Sequence, residues 1–213
     1  MEEQEADVKD RIINGAMELI MRYGARSISM DDIARHLSVS KKTLYQHFAD
    51  KDDLVLAVCR EDMRCDVKIF TEIRESSSNA IEELSKISLI MKAQMEKINP
   101  ALLFDLKKFH PKAWNAWLDF KDKFIRESVM RNLKQGVEEG HFRQDINPEL
   151  MAIVRIELIE LLFDQMLFPR EKFKLAEVQM HLFDHFVYGL VTDKGRKLYE
   201  KYKQLNHQPT SVL

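Results

Sequence analysis

The sequence predicts an all-α protein. Three observations carry that reading. Only 6 Gly and 5 Pro occur in 213 residues. Apolar residues recur at helical spacing along nearly the whole chain. No long β-branched run alternates apolar with polar residues, as a half-buried strand would.

Each element has its own signal. Val8, Ile12, Ile13, Ala16, Leu19, Ile20 and Tyr23 form one stripe, closed by Gly24. Ser29 is placed to cap a second helix, with Asp31 and Asp32 near the positive end of its dipole. Ile33, Ala34 and Leu37 form its apolar side. Ser40 caps a third helix carrying Leu44, Tyr45 and Phe48, and Asp50 a fourth from Lys51 to about Ile73. After the loop "ESSSNA", a fifth helix covers Asn79 to Lys97 and a short sixth Pro100 to Lys108. Pro111, with φ preset for a first turn, opens a long helix to Glu139, closed by Gly140. Pro148 opens another to Phe168, which Pro169 breaks, and one more runs from Glu171 to Leu190. A short terminal helix follows in "TDKGRKLYEKYKQL", and "NHQPTSVL" reads as frayed.

The second and third helices are informative because they are so short. Isolated helices below about 12 residues are marginal in water. They must therefore pack, and the stripe of the first helix meets Ile33, Ala34, Val39, Leu44 and Phe48. The other side of the third helix then faces solvent with Lys41, Lys42, Thr43, Gln46 and His47. This is a helix-turn-helix, whose second helix enters the major groove of double-stranded DNA. Ser29, Ser40 and the amides at neighbouring helix starts suit phosphate oxygens, as do the Lys51 ammonium and the Tyr45 hydroxyl. The local charge agrees: Arg22, Arg26, Arg35, Lys41, Lys42 and Lys51 stand against only Asp31, Asp32 and Asp50. The fold class is thus all-α, with an N-terminal three-helix bundle containing the helix-turn-helix (residues 1–50) and a larger all-helical remainder (residues 51–213).

The stretch "SMDDIARHLSVSKKTLYQHFADKDDL" resembles the signature of TetR-family transcriptional regulators. The matching positions are Ser29, Ile33, Ala34, Val39, Ser40, Leu44, Tyr45, His47, Phe48, Lys51 and Leu54, in order and near the N-terminus. Two positions depart from the pattern. Leu37 and Ser38 stand where Ala-Gly is frequent, so Ser38 faces a turn that favours glycine. Lys42 stands where Gly is frequent, which adds a charge to the groove face.

The resemblance implies that residues 51–213 form a helical regulatory, ligand-binding and dimerisation domain, and that a two-fold homodimer holds its recognition helices about 34–36 Å apart. Broad apolar faces between Pro148 and Leu190 offer the contact surface: Leu158, Leu162, Met180, Phe183, Val187 and Leu190 are its expected residues. It also implies a small apolar or amphipathic effector among the middle helices. Met91, Met95, Phe104, Phe109, His110, Trp114, Trp117, Phe120 and Phe124 are the residues expected to hold it. Side chains of these types at helical spacing are more often plain core than pocket lining.

Net charge, −2, gives no sign of a polyanionic partner for the chain as a whole. No stretch reaches the length of an apolar membrane span, and "MEEQEADVKD" lacks the apolar segment of a secretory signal, so a cytoplasmic location is expected. Cys59 and Cys65, six apart on one helix, cannot bridge. No cofactor, metal or catalytic residue is expected. One enzyme reading is set by Glu157, Glu160 and Asp164 with Glu177, His181, Asp184 and His185, since carboxylate-bridged metals occupy helical bundles. Its Glu-His spacing is four rather than three, and no second such pair exists. An interaction module that keeps the fold without reading DNA is the remaining alternative.

Overall fold

The computed structural model describes residues 2–207. Among them are eleven α-helices: α1 (Glu2–Tyr23), α2 (Met30–Leu37), α3 (Lys41–His47), α4 (Lys51–Glu75), α5 (Ala80–Met95), α6 (Leu102–Phe109), α7 (Pro111–Phe120), α8 (Arg126–Glu138), α9 (Pro148–Leu161), α10 (Leu175–Leu190) and α11 (Asp193–His207). The described residues form no strand; one isolated antiparallel bridge joins Phe142 and Val191.

Two compact units divide the chain. The first holds the residues up to Val67 together with Lys97–Phe120; the second holds Lys68–Glu96 and the residues from Lys121 onward. The sequence boundary at residue 50 followed the end of the motif. In the structure most of α4, with α6 and α7, shares the core of α1–α3. Ile12, Ala16, Ile20, Ile33, Leu44, Phe48, Leu54 and Val58 are buried together with Leu102, Leu106 and Ala113. The second core gathers Ala80, Ile81, Leu133, Phe142, Ala152, Phe183, Val187, Leu190 and Tyr199.

Several boundaries differ from expectation, each for a local reason. The long helix from Pro111 is interrupted by a π turn at Lys121–Ile125. The helix from Pro148 ends at Leu161, not Phe168. There the Asp164 carboxylate accepts from the amides of Met166 (2.8 Å) and Leu167 (3.3 Å), a side-chain turn that competes with the helix. The amides of Lys172 and Phe173 both donate to the Pro169 carbonyl, so α10 starts only at Leu175. The terminal helix, expected to be short, is 15 residues long. Of the frayed tail, residues 208–213 lie outside the described residues.

The surface expected to meet a partner must be redrawn. Leu162, Phe183, Val187 and Leu190 are at most 2% exposed within the chain's own packing. They are core, and Leu158 and Met180 are only half-buried. Helical periodicity identifies an apolar face without saying which neighbour covers it. The open apolar positions on α9 are Leu150, Ile153 and Val154, followed in the next segment by Met166, which is 91% exposed, and Leu167.

Candidate nucleic-acid interface

Short helices persist here because both ends are chemically closed. Ser29 caps α2: its Oγ accepts from the Asp32 amide (3.2 Å), while the Asp32 carboxylate accepts from the Ser29 amide (3.0 Å) and hydroxyl (2.6 Å). These bonds hold the Asp32 carboxyl below the usual range. At the other end Ser38 turns left-handed, with φ 55°. The Val39 amide then donates to the Ala34 carbonyl at 3.0 Å. The glycine preference at this turn is thus a real conformational demand, met here by serine. Ser40 starts α3 by accepting from the Thr43 amide at 3.0 Å, and its Oγ lies 2.8 Å from the Thr43 hydroxyl. Asp50 accepts from the Asp53 amide at 2.8 Å and starts α4.

Ala34 is buried where α2 meets α3, as a close crossing requires. A second close approach was not read from the sequence: a Cβ on Gly15 of α1 would collide with the Leu37 side chain of α2. Leu44 and Phe48 point inward at 0% and 2% exposure. The 100° step per residue therefore turns Lys41, Lys42, Tyr45 and Gln46 to solvent, with Thr43 and His47 half-buried.

The exposed cations are not equivalent. Lys41 pairs with Asp31 at 2.5 Å, and Arg35 with Asp32 at 3.8 Å. Such surface pairs contribute about 0–1 kcal/mol, so a phosphate can displace them. Among the described residues Lys42 pairs with no acid and has nothing to give up. Lys51 donates from Nζ to the Arg26 carbonyl at 3.4 Å. Burial lowers its pKa, against the raising effect of Asp105, Asp52 and Asp32.

The support for this surface includes a segment the sequence assigned elsewhere. The Asn99 amide donates to the Met21 carbonyl at 2.6 Å, and the Arg26 amide to Asp105 at 3.0 Å. His110 Nδ1 lies 2.7 Å from Asp52, at the start of α4. The Arg26 guanidinium sits 4.8 Å from the Phe109 ring centroid. Phe109 packs edge-on against Phe104, which is 54% exposed. Phe109, with Phe104 packed on it, thus braces the corner between α1 and α2 through Arg26, and His110 ties the end of α6 to the start of α4; all three were expected around an effector.

The other expected effector residues are divided. Trp114, Trp117 and Phe120 belong to the first unit; Met91, Met95 and Phe124 belong to the second. Trp117 packs on Phe120 with centroids 6.0 Å apart, and its Nε1 is buried without a hydrogen-bond partner among the described residues. Phe124 stacks on Phe70 at 6.3 Å, while Met91 and Met95 are 9% exposed. An open groove of about 390 Å³ in the first unit runs between Arg60, Met63, Lys112, Asn115, Ala116, Asp119 and Phe120. Only Phe120 of the expected set lines it. Sequence reading missed Asp62 on α4, whose carboxyl is pushed up to about 7 by burial and, secondarily, by the charge of Asp66. Nothing in a one-dimensional pattern separates that carboxylate from its solvated neighbours.

Two carboxylates of the enzyme reading have other partners. Asp184 accepts from the Tyr199 hydroxyl at 2.7 Å and pairs with Lys203 at 2.5 Å; Glu160 pairs with Lys121 at 2.6 Å. Among the described residues no group of three or more His, Cys, Asp or Glu side chains is arranged to hold a metal ion.

A capped helix pair with a polar, cation-bearing outer face, on a buried three-helix core, defines a helix-turn-helix DNA-binding protein. Comparison with known proteins takes this further. Residues 12–58 match the model of the bacterial regulatory proteins of the tetR family. The chain is 31% identical to the HTH-type transcriptional regulator YvaF of Bacillus subtilis over 86% of its own length and 96% of that protein. It is 22% identical to the HTH-type transcriptional repressor KstR2 of Mycobacterium tuberculosis, over 67% of its length and 73% of that protein. Its fold is similar to a TetR-family regulator from Agrobacterium tumefaciens, with TM-score 0.72 and 15% identity, covering 88% of this chain and all of that one. The chain belongs to the tetR family and is a DNA-binding transcriptional regulator.

Proposed function

We propose that the protein is a cytoplasmic, ligand-responsive repressor that binds a two-fold symmetric operator as a homodimer. One observation carries the reading: α3 buries Leu44 and presents Lys42, Tyr45 and Gln46 outward from a capped, rigid support. Lys42 and Gln46 reach base edges, with Thr43 beside them. Lys41, Tyr45, His47 and Lys51, with the helix starts at Ser29 and Ser40, meet the phosphate backbone.

A single recognition helix reads too few base pairs to be selective. The apolar row Leu150, Ile153 and Val154 on α9 supports a second copy as partner. Repression is argued from the KstR2 relative, which is a transcriptional repressor. The effector is apolar or amphipathic and contacts the aromatic groups of α7, Trp117 and Phe120 foremost. It acts by preferring a state in which α4, continuous from the first unit into the second, has moved the recognition helices off groove spacing. No helix among the described residues is long and apolar enough to cross a membrane.

Selection of bound duplexes from a random pool tests the reading. The expected result is an inverted repeat whose half-sites lie about one helical turn apart, 34–36 Å. A single asymmetric half-site, or binding insensitive to salt, would overturn it.

A further inference from the structure

The second unit buries polar side-chain atoms that have no hydrogen-bond partner among the described residues. Arg155, on α9, is 4% exposed; its Nη1 has no hydrogen-bond partner, and among the described residues no carboxylate pairs with it. Gln179, on α10, is 0% exposed, and neither atom of its amide has a partner. The two belong to one neighbourhood. The Arg155 guanidinium lies 4.8 Å from the Phe183 ring centroid and 6.0 Å from that of Phe186. Gln179, Phe183 and Phe186 follow at i, i+4 and i+7, hence on one face of α10.

The same unit shows how it treats a buried charge it means to neutralise. Glu83, 3% exposed, receives Arg131 at 2.5 and 3.2 Å and the Asn132 amide at 2.8 Å. Arg155 has the faces of Phe183 and Phe186, with the Tyr199 phenol near enough to favour its charge, in place of such a cage. They attract a cation but accept its N–H groups poorly. Water would accept those hydrogens without neutralising the charge, and an unneutralised interior charge is strongly unfavourable. Burial lowers the Arg155 pKa only to about 10, so the group is a cation at neutral pH.

We infer that Arg155 and Gln179 form a binding site for a small carboxylic acid with an apolar body. The guanidinium takes the carboxylate through paired N–H···O bonds. The Gln179 amide meets a further polar atom of the ligand, and Phe183 with Phe186 contacts the apolar part. A monoanion fits better than a phosphate dianion because one guanidinium supplies a single positive charge. The site lies in the second unit and shares no residue with the aromatic effector set on α7.

Calorimetric titration of the full chain with benzoate and octanoate, beside benzamide and octanamide, tests this. At least one acid binds and raises the melting temperature, and its amide does not. Arg155→Met weakens that binding at least tenfold, the scale of a charge-assisted hydrogen bond, and raises the melting temperature of the ligand-free protein. Should that variant fail to fold, Gln179→Leu provides the same test, with about tenfold weaker binding and an unchanged helical spectrum. The inference is overturned if neither acid binds, or if an acid binds equally to wild type and the folded variant. No DNA enters the measurement, so its failure leaves the regulator reading standing.

Discussion

Polar side chains are used in opposite ways in the two units. Around α2 and α3 they sit at helix ends and on the outer face: Ser29, Asp32 and Ser40 satisfy backbone amides, while Lys42 and Gln46 face solvent. Around α9 and α10 they are inside, where Arg155 Nη1 and the Gln179 amide have no hydrogen-bond partner among the described residues. The first arrangement makes a rigid probe whose chemistry is displayed. The second leaves recognition chemistry in the interior, where only a molecule that enters can complete it. The regulator proposed above, which reads an outer surface and responds to something small, would use both.

Substitutions can break or sharpen this contrast. The largest expected effect is in the probe's support. Leu44→Ala removes a fully buried side chain beneath the recognition face and costs about 2–5 kcal/mol in urea unfolding, with loss of operator binding. Next is Asp62. Its folded pKa, near 7, lies above the unfolded value, so the folded state holds a proton that the unfolded chain releases between about pH 4 and 7. Stability therefore falls as pH rises through that window, by about 2–4 kcal/mol in total. Asp62→Asn removes this slope, which a series of melts from pH 4 to 8 would show. In the second unit Gly195→Ala drives a Cβ into the His141 carbonyl oxygen, beside the Phe142–Val191 bridge, and costs about 1–3 kcal/mol by thermal unfolding. The smallest is Ser40→Ala, which deletes the α3 cap for about 1 kcal/mol, visible in calorimetric melting.

The ease of reading each unit from sequence follows from the same contrast. Capping is local: Ser29 and Asp32 are three residues apart, and Ser40 and Thr43 likewise, so their roles stand in the linear order. The turn at Ser38 was legible only through the family pattern, which favours glycine there; serine by itself gives no sign of left-handed backbone. Burial is not local. Phe183, Val187 and Leu190 carry the pattern of an interface and lie in the core, because α5 and α11 cover them. The bracing by Asn99, Asp105 and His110 joins residues 58 to 79 positions apart, beyond any spacing rule. Arg155 reads as an ordinary helix-surface cation until its surroundings are known.

The central claim is that the outer face of α3 reads base pairs. Its most direct test is the affinity of wild type and Lys42→Ala for the selected operator and for each single base-pair variant of it. The account predicts that the variant loses about 1–3 kcal/mol of discrimination at one or two positions in each half-site and little elsewhere. A uniform loss at every position, or none at any, would contradict it.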